Sequence, residues 1–436
     1  MENRDINIGL IGFGTIGTGV VKILKQNEEV IGRRLGSRLS VKTIVDIDIA
    51  TPRSITTEGI RLTDDAREVF DDPSIHIVVE LIGGLDAAKR FILEAMRNKK
   101  HVVTANKALL ATAGNEIFEA ADEAEVDIGF EASVCGGIPI IKTLKESLAG
   151  NNIKSIFGIV NGTCNYILTR MTDEKLPFEQ VLREAQILGF AEADPSYDVD
   201  AADTAHKLAI ILSLSYGKRV RLEDIYREGI ADLDQRDVEY AKQLGYRIKL
   251  LAIAMQRGEK IEARIHPTMI PDDSLLAKVG GNYNAVHILG DASGPLLLYG
   301  QGAGMLPTAS AVVGDLIDIA RDIHIKTWRR VPLRSFKKDQ ITDIDLLPME
   351  EVRTNYYFRF AAVDRPGVLS AIAGILGKHD ISIASVIRAE RKDKGPVPIV
   401  MTTHDCRERD VQMALKEINK LETVLDETVL IRIEDR

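Results

Sequence analysis

Asp203 and Lys207 stand four residues apart at the start of an apolar run, Leu208-Ala-Ile-Ile-Leu212. A four-residue offset puts two side chains on one face of a helix, so an acid and an amine point at the same place. The irregular, proline-containing stretch leading to them from Gly189 brings the carboxylates to five: Glu192, Asp194, Asp198, Asp200 and Asp203. A solvated charge run is the plain alternative. Here the helix carrying the pair reads as buried, and buried charges need a partner or a purpose. An amine held beside a carboxylate is equipment for proton transfer.

Two other stretches carry groups of this kind. Thr104-Ala-Asn106-Lys107 closes an apolar strand, at the edge where doubly wound sheets place their ligands. Lysine is ordinarily a solvated surface residue. At a strand's carboxyl end with a helix following at once, Lys107 reads as functional. Glu131-Ala-Ser-Val134-Cys135-Gly136-Gly137-Ile138-Pro139 follows another strand end. Its glycines let backbone carbonyls turn inward and Glu131 adds a carboxylate, oxygens suited to a hard monovalent cation. A plain glycine turn between domains competes with that reading. Cys135 opens a further one, because thioester-forming aldehyde dehydrogenases need an exposed, activated thiolate beside a base. None of the eight histidines supplies a local motif for such a pairing.

These groups need a framework. Ile6 to Ile11 reads as a buried strand and Thr15 to Lys25 as the helix behind it. Val41 to Val45, Ile75 to Ile82, His101 to Thr104 and Asp127 to Phe130 read as further strands, separated by helices such as Ala87 to Asn98 and Asn115 to Ala124. Strands alternating with helices predict an α/β fold with a parallel, doubly wound sheet. Gly12-Phe13-Gly14-Thr15-Ile16-Gly17 joins the first strand to its helix. Gly12 permits the tight turn, Gly14 lets backbone approach a pyrophosphate and Gly17 lets helix pack on strand. The helix N-terminus offers free N–H groups to the phosphates. This is the signature of a Rossmann-type dinucleotide-binding domain. Asp46 and Asp48 end the next strand, where a carboxylate accepts from a ribose 2′-OH and repels a 2′-phosphate. That favours NAD. Arg53 lies near enough in sequence to reach a phosphate, and the spacing from Gly17 to Asp46 is longer than the usual pattern, so NADP stays open.

After about residue 134 the texture changes. Ile153 to Val160, Lys249 to Met255, Ile261 to Ile270 and Val286 to Leu289 read as strands of a second, α+β domain, with helices Phe178 to Leu188 and Ala201 to Leu214. Pro307-Thr308 opens a long helix through Ile323, with Thr308 as its N-cap. A polar segment, Val331 to Arg353, reads as a linker. Beyond it come strand Tyr356 to Val363, helix Val368 to Lys378, strands Ile383 to Glu390 and Val397 to Thr403, helix Asp410 to Leu421 and strand Thr428 to Glu434. That order is a ferredoxin-like βαββαβ unit. The expected partition is residues 1–133 with 305–330 for the dinucleotide, 134–304 for catalysis and dimerisation, 331–354 as linker and 355–436 as the terminal unit.

Composition narrows the partners. At 436 residues the chain is too long for one ordinary core. A net charge of −9 without a basic stretch argues against a nucleic-acid partner. Three cysteines, Cys135, Cys164 and Cys406, show no metal spacing and suit reduced thiols. No window reaches the length of a membrane span, and the opening Met-Glu-Asn-Arg-Asp carries no apolar signal region. A cytoplasmic protein is expected.

Taken in order, the motifs carry a resemblance. The glycine turn, Thr104-Ala-Asn-Lys107-Ala-Leu, Glu131-Ala-Ser-Val-Cys-Gly-Gly-Ile-Pro-Ile, Asn161-Gly-Thr-Cys-Asn-Tyr-Ile-Leu, Gly189–Lys207 and Gly302-Ala-Gly304-Met-Leu-Pro-Thr-Ala-Ser-Ala-Val together closely resemble homoserine dehydrogenase, from about residue 6 to 330. The terminal unit, with Asp364-Arg-Pro-Gly367-Val-Leu, resembles the ACT regulatory domain. The resemblance implies reversible reduction of L-aspartate 4-semialdehyde to L-homoserine, on the route to threonine and methionine. It implies that Lys207 is the general acid/base and Lys107 a second lysine near the reacting oxygen and nicotinamide. Glu192 and Asp203 resemble the carboxylates that hold the substrate's ammonium, with Asp198 in support. Thr15, Ile16, Gly189 and Gly304 fall where the family contacts cofactor, and Glu131, Val134, Gly136 and Ile138 match its sodium site. Ile47 stands where many members carry an arginine suited to NADP. The resemblance further implies a homodimer or homotetramer and a pathway amino acid, threonine, as effector at the ACT unit. Two readings of other classes remain: the Cys135 aldehyde dehydrogenase, and a non-catalytic dinucleotide and amino-acid sensor.

Overall fold

The computed structural model describes residues 5–388 and 397–435. Residues 389 and 390, the expected end of the Ile383 strand, and the first four residues lie outside the described ones. The chain divides into two compact units, one of Met1–Ile156, Asp203–Asp224 and Tyr283–Ile344, the other of Phe157–Ala202, Ile225–Asn282 and Asp345–Arg436.

In the first unit, strands Ile6–Ile11, Leu39–Val45, Arg61–Thr63, Ile75–Glu80, His101–Thr104 and Ile128–Gly129 pair in parallel. Across the sheet their order is third, second, first, fourth, fifth, sixth. The order reverses beside Ile6–Ile11, and the crevice outside the carboxyl ends at such a switch point is where open α/β sheets bind ligands. Apolar runs make these strands because both faces are covered. Helices Thr15–Gln26 and Met305–His324 pack together over Ile8, Leu10 and Val79 through Val20, Val21, Leu24, Val312 and Leu316. Residues 305–324 thus return to the parallel sheet.

Two helix starts differ from expectation. Thr308 does not cap its helix. The helix begins at Met305 with Gly304 in the cap position at φ 120° and no side-chain cap, and the Thr308 N–H already donates to the Gly304 carbonyl. Pro307 falls in the first turn, where a missing N–H costs nothing. The helix expected from Asn115 starts at Lys107. Asn106 caps it, its Oδ1 accepting from the Leu109 N–H at 3.0 Å.

In the second unit, Tyr246–Arg257 and Lys260–Pro271 form a long antiparallel pair. The βαββαβ order holds: strand Arg353–Ala362, helix Val368–Lys378, strands Ile383–Arg388 and Val397–Thr403, helix Glu408–Ile418, strand Val429–Ile433. Alternation along Arg353–Ala362 sends Tyr356, Phe358 and Phe360 into a core with Ile372, Leu376, Val411 and Ile418. Its last strand, Val429–Ile433, also pairs in parallel with Lys260–Pro271, so one sheet runs through both parts.

Candidate active site

The glycine turn is built as the motif requires. Gly12 has φ 102°, and a β-carbon on Gly17 would sit 2.2 Å from the Gly12 carbonyl oxygen. A β-carbon on Gly14 would meet nothing within 4 Å, so space over the helix N-terminus is open. Asp46 ends its strand under this turn and accepts from the Phe13 N–H at 2.5 Å and the Asp48 N–H at 2.8 Å. Arg53 donates from Nε to the Phe13 carbonyl at 3.0 Å, and its Nη1 lies 3.6 Å from Asp48 Oδ2. Phe13, Asp46, Asp48 and Arg53 line one cavity of about 340 Å³. Thr15 and Ile16 open the helix beyond it.

The next two strand ends position Lys107. Glu80 is buried at the end of Ile75–Glu80 and accepts from the Thr104 hydroxyl at 2.7 Å and from the Ile82 and Gly83 N–H groups. Burial raises its pKa, opposed by those donors. Asn106 Nδ2 donates to the Gly84 carbonyl at 2.7 Å, tying the Lys107 helix start to the neighbouring strand's loop. Glu80 was not singled out in the sequence, and Asn106 was read only as part of the Thr104–Lys107 stretch. The asparagine three residues before Leu109 was the available signal for a cap.

Asp203 is 4% exposed and Lys207 9%, on the Ala202–Tyr216 helix. Lys207 Nζ donates to Asp203 Oδ2 at 2.7 Å, and Lys107 Nζ stands 3.3 Å from Asp203 Oδ1. The structure therefore gathers Lys107, Asp203 and Lys207 at one point. The Lys107 side chain, 35% exposed, reaches inward to a buried carboxylate that it shares with a second amine.

The glycine loop lies in the same unit. Both Glu131 carboxylate oxygens accept from backbone, the Ile141 N–H at 2.8 Å and the Lys142 N–H at 2.9 Å. Burial, then the neighbouring Asp315, pushes its pKa up to about 7. Val134 and Ile138 are buried, and Gly136, at φ 50°, would set a β-carbon 2.6 Å from the Gly302 carbonyl oxygen. Among the described residues no backbone N–H donates to the Val134 or Gly136 carbonyls. Cys135 is 1% exposed, and burial raises its thiol pKa to about 11, outweighing the opposing Lys207 charge and the Asn284 hydrogen bond. An exposed, activated thiolate is absent here, which corrects the aldehyde dehydrogenase alternative.

Glu192, Asp198 and Gly189 belong to the second unit. Asp198 Oδ1 accepts from Asn161 Nδ2 at 2.7 Å, while Asn161 Oδ1 caps the Gly162–Glu174 helix through the Cys164 N–H at 2.8 Å. Glu192 is exposed, and the Gln186 amide donates to its carbonyl at 3.1 Å. Gly189, at φ 75°, follows the Phe178–Ile187 helix. Asp194 accepts from the Ser196 N–H at 3.1 Å, a local turn contact.

Comparison with known proteins gives the family. The family model described as homoserine dehydrogenase matches residues 139–317, its NAD binding domain matches 12–131 and the ACT domain matches 356–423. The chain is 45% identical over 431 residues to the homoserine dehydrogenase of Neisseria gonorrhoeae, covering 99% of each. The solved homoserine dehydrogenase of Thiobacillus denitrificans superimposes with a TM-score of 0.93 at 46% identity, covering 100% of each chain. A hyperthermophilic archaeal homoserine dehydrogenase, solved in complex with NADPH, superimposes with a TM-score of 0.61 at 29% identity over 72% of this chain and 97% of that one.

Proposed function

We propose, from the premise that the chain belongs to the homoserine dehydrogenase family, which of its own residues carry that reaction. The activity is oxidoreduction between L-homoserine and L-aspartate 4-semialdehyde with a nicotinamide cofactor, which supplies the hydride when bound. Hydride delivery to the aldehyde carbon breaks the C=O π bond and leaves negative charge on oxygen. Lys207 donates the proton that completes the hydroxyl, and Lys107 stabilises the developing charge. The observation that carries this reading is the pair of lysine amines on the two oxygens of buried Asp203. Asp203 offsets the repulsion of two neighbouring cations. On the family resemblance, Asp203 and Glu192 take the substrate ammonium and Asp198 supports them.

The Gly12–Gly17 turn holds the cofactor's pyrophosphate, with Gly189 and Gly304 as further contacts. Between the two cofactors we assign a preference for NAD. Asp46 and Asp48 face the cavity at the strand end, Arg53 is already engaged by Asp48, and Ile47, 98% exposed, brings no charge. A sodium ion at Glu131, Val134, Gly136 and Ile138 fits the free carbonyls of Val134 and Gly136. The Glu131 side chain is taken by helix N–H groups, and its backbone oxygen already accepts from the Val134 N–H at 3.4 Å, as the Ile138 oxygen does from the Ile140 N–H at 2.8 Å, so those two would offer the ion a second lone pair. Such an ion would brace the loop. Residues 1–133 with 305–330 form the nucleotide domain, 134–304 the catalytic and dimerisation domain, 331–354 the linker and 355–436 the regulatory domain. Gly367, at φ 89°, opens the Val368–Lys378 helix, whose N–H groups offer a place for the carboxylate of threonine. The protein acts in the cytoplasm as a homodimer or homotetramer. Among the described residues no helix is long and apolar enough to cross a membrane.

Oxidation of L-homoserine, followed by reduced-nicotinamide absorbance with NAD and NADP in parallel, tests the reading. Turnover with a higher kcat/KM for NAD is expected. No turnover with either cofactor overturns the activity, and a higher kcat/KM for NADP overturns the cofactor assignment alone. Added threonine is expected to inhibit the full chain.

A further inference from the structure

We propose that a cavity between the two lysine-bearing helices is a binding site for a small carboxylate with an apolar body. The cavity holds about 340 Å³, within the ~300–1,000 Å³ of small-molecule sites. It lies behind the starts of the Lys107–Ala124 and Ala202–Tyr216 helices, and none of Lys107, Asp203 or Lys207 lines it. Leu110, Phe118, Phe130, Ile210 and Leu214 form its apolar wall, and every one of them is buried.

One cation stands in that wall. Arg334, only 7% exposed, lines the cavity. Its Nη1 donates to Asn115 Oδ1 at 2.7 Å, and its guanidinium lies 5.3 Å from the Phe118 ring centroid. Among the described residues no carboxylate comes within salt-bridge distance of it. The two arginines at the mouth are already taken, Arg219 by Asp343 at 2.7 Å and Arg221 by Asp224 at 2.8 Å. Burial lowers the Arg334 pKa, with Asp122 and Glu119 opposing only from longer range. A guanidinium has five N–H donors in a planar fork. A desolvated cation without a counter-ion is costly, and a ligand carboxylate would supply one with bidentate geometry. The Phe118 and Phe130 rings, 5.5 Å apart, would take a flat apolar body beside it.

Calorimetric titration of the full-length protein with phenylacetate, against neutral phenylacetamide, tests the site. Phenylacetate is expected to bind at least about tenfold more tightly than the amide, the worth of hydrogen bonds to a charged group. Arg334→Gln should remove that preference, and Lys207→Ala should keep it. Thr112→Trp, at an exposed rim position, leaves Arg334 in place and should block entry by bulk. Equal binding of acid and amide, binding retained in both Arg334→Gln and Thr112→Trp, loss in Lys207→Ala, or no binding at millimolar probe would each overturn the proposal.

Discussion

Lys107 and Lys207 meet on opposite oxygens of one carboxylate, 3.3 Å from Asp203 Oδ1 and 2.7 Å from Asp203 Oδ2 respectively. Lys107 begins one helix behind its asparagine cap, and Lys207 sits one turn along another from the aspartate. Two ammonium groups this close, Lys207 buried and Lys107 35% exposed, would repel each other without a shared anion. Asp203 thus permits a pair of cations where an alkoxide forms. One can stabilise charge while the other yields a proton.

Replacing Lys207 by Ala should lower kcat by about 10²–10⁴-fold, the usual worth of general acid–base catalysis. Cofactor KM should change little, because the glycine turn is untouched. Asp203→Asn should lower kcat and raise homoserine KM together, since it removes the counter-charge of both amines. Steady-state kinetics with homoserine decides both. A Lys207→Ala enzyme within a few-fold of normal turnover would take the proton-transfer role from this residue.

Cys135→Ser should keep turnover within a few-fold. The thiol is buried and its pKa is raised to about 11, so almost no thiolate exists at neutral pH. Serine fits the same space, and its hydroxyl can take up a hydrogen bond there. A loss of several orders of magnitude, measured with protein of unchanged thermal stability, would restore a thioester route.

The parallel sheet was legible in sequence because strands buried on both faces read as short apolar runs between amphipathic helices. The Asp203–Lys207 pair was legible for a related reason: its spacing is local and helical. The start of the Lys107 helix was not. Ala108-Leu-Leu-Ala-Thr-Ala-Gly114 is small and apolar without a polar face, so periodicity gives no sign of it. Helix Gly162–Glu174 was missed because it opens on glycine and polar residues, and its cap, Asn161, was read only as part of a motif. Contacts between distant segments left no trace. Nothing in the chain announces that Lys107 reaches Asp203, or that Arg264 reaches Glu434.

His101 gives a pH test. Its Nδ1 accepts from the Asp127 N–H at 3.0 Å, so the ring is neutral despite the nearby carboxylate. Burial lowers its pKa from 6.5 to about 4. A folded pKa below the unfolded one means the unfolded chain takes up the proton first. Stability from this group is therefore full above about pH 6.5 and is lost as pH falls towards 4, by up to about 1.4 kcal/mol per pH unit. His101→Asn keeps an acceptor for Asp127 and removes the titration. Urea unfolding at pH 7 and pH 5 should show a smaller acid loss in the variant than in the parent. Equal losses would mean that His101 titrates normally in the folded protein.

Arg264 offers the sharpest stability test, because it is fully buried between two carboxylates from distant parts of the chain. Its Nε donates to Glu262 Oε1 at 2.8 Å, Nη2 to Glu434 Oε1 at 2.5 Å, and Nη1 approaches neutral His266 Nε2. Glu262 has a second cation, Arg257, at 2.9 Å, but no second cation lies within salt-bridge distance of Glu434 among the described residues. Arg264→Met keeps apolar bulk and strands the Glu434 charge in a buried position. The expected cost is about 3–5 kcal/mol, as for breaking a buried pair from one side. Glu434→Gln in the same chain removes the stranded charge and should recover part of the loss, a coupling that a double-mutant cycle isolates. Denaturant unfolding of the four proteins reads both numbers. A single-variant cost below about 1 kcal/mol, or no recovery in the double variant, would show that the strand Val429–Ile433 is held by its ladder and apolar contacts without help from the ion pair.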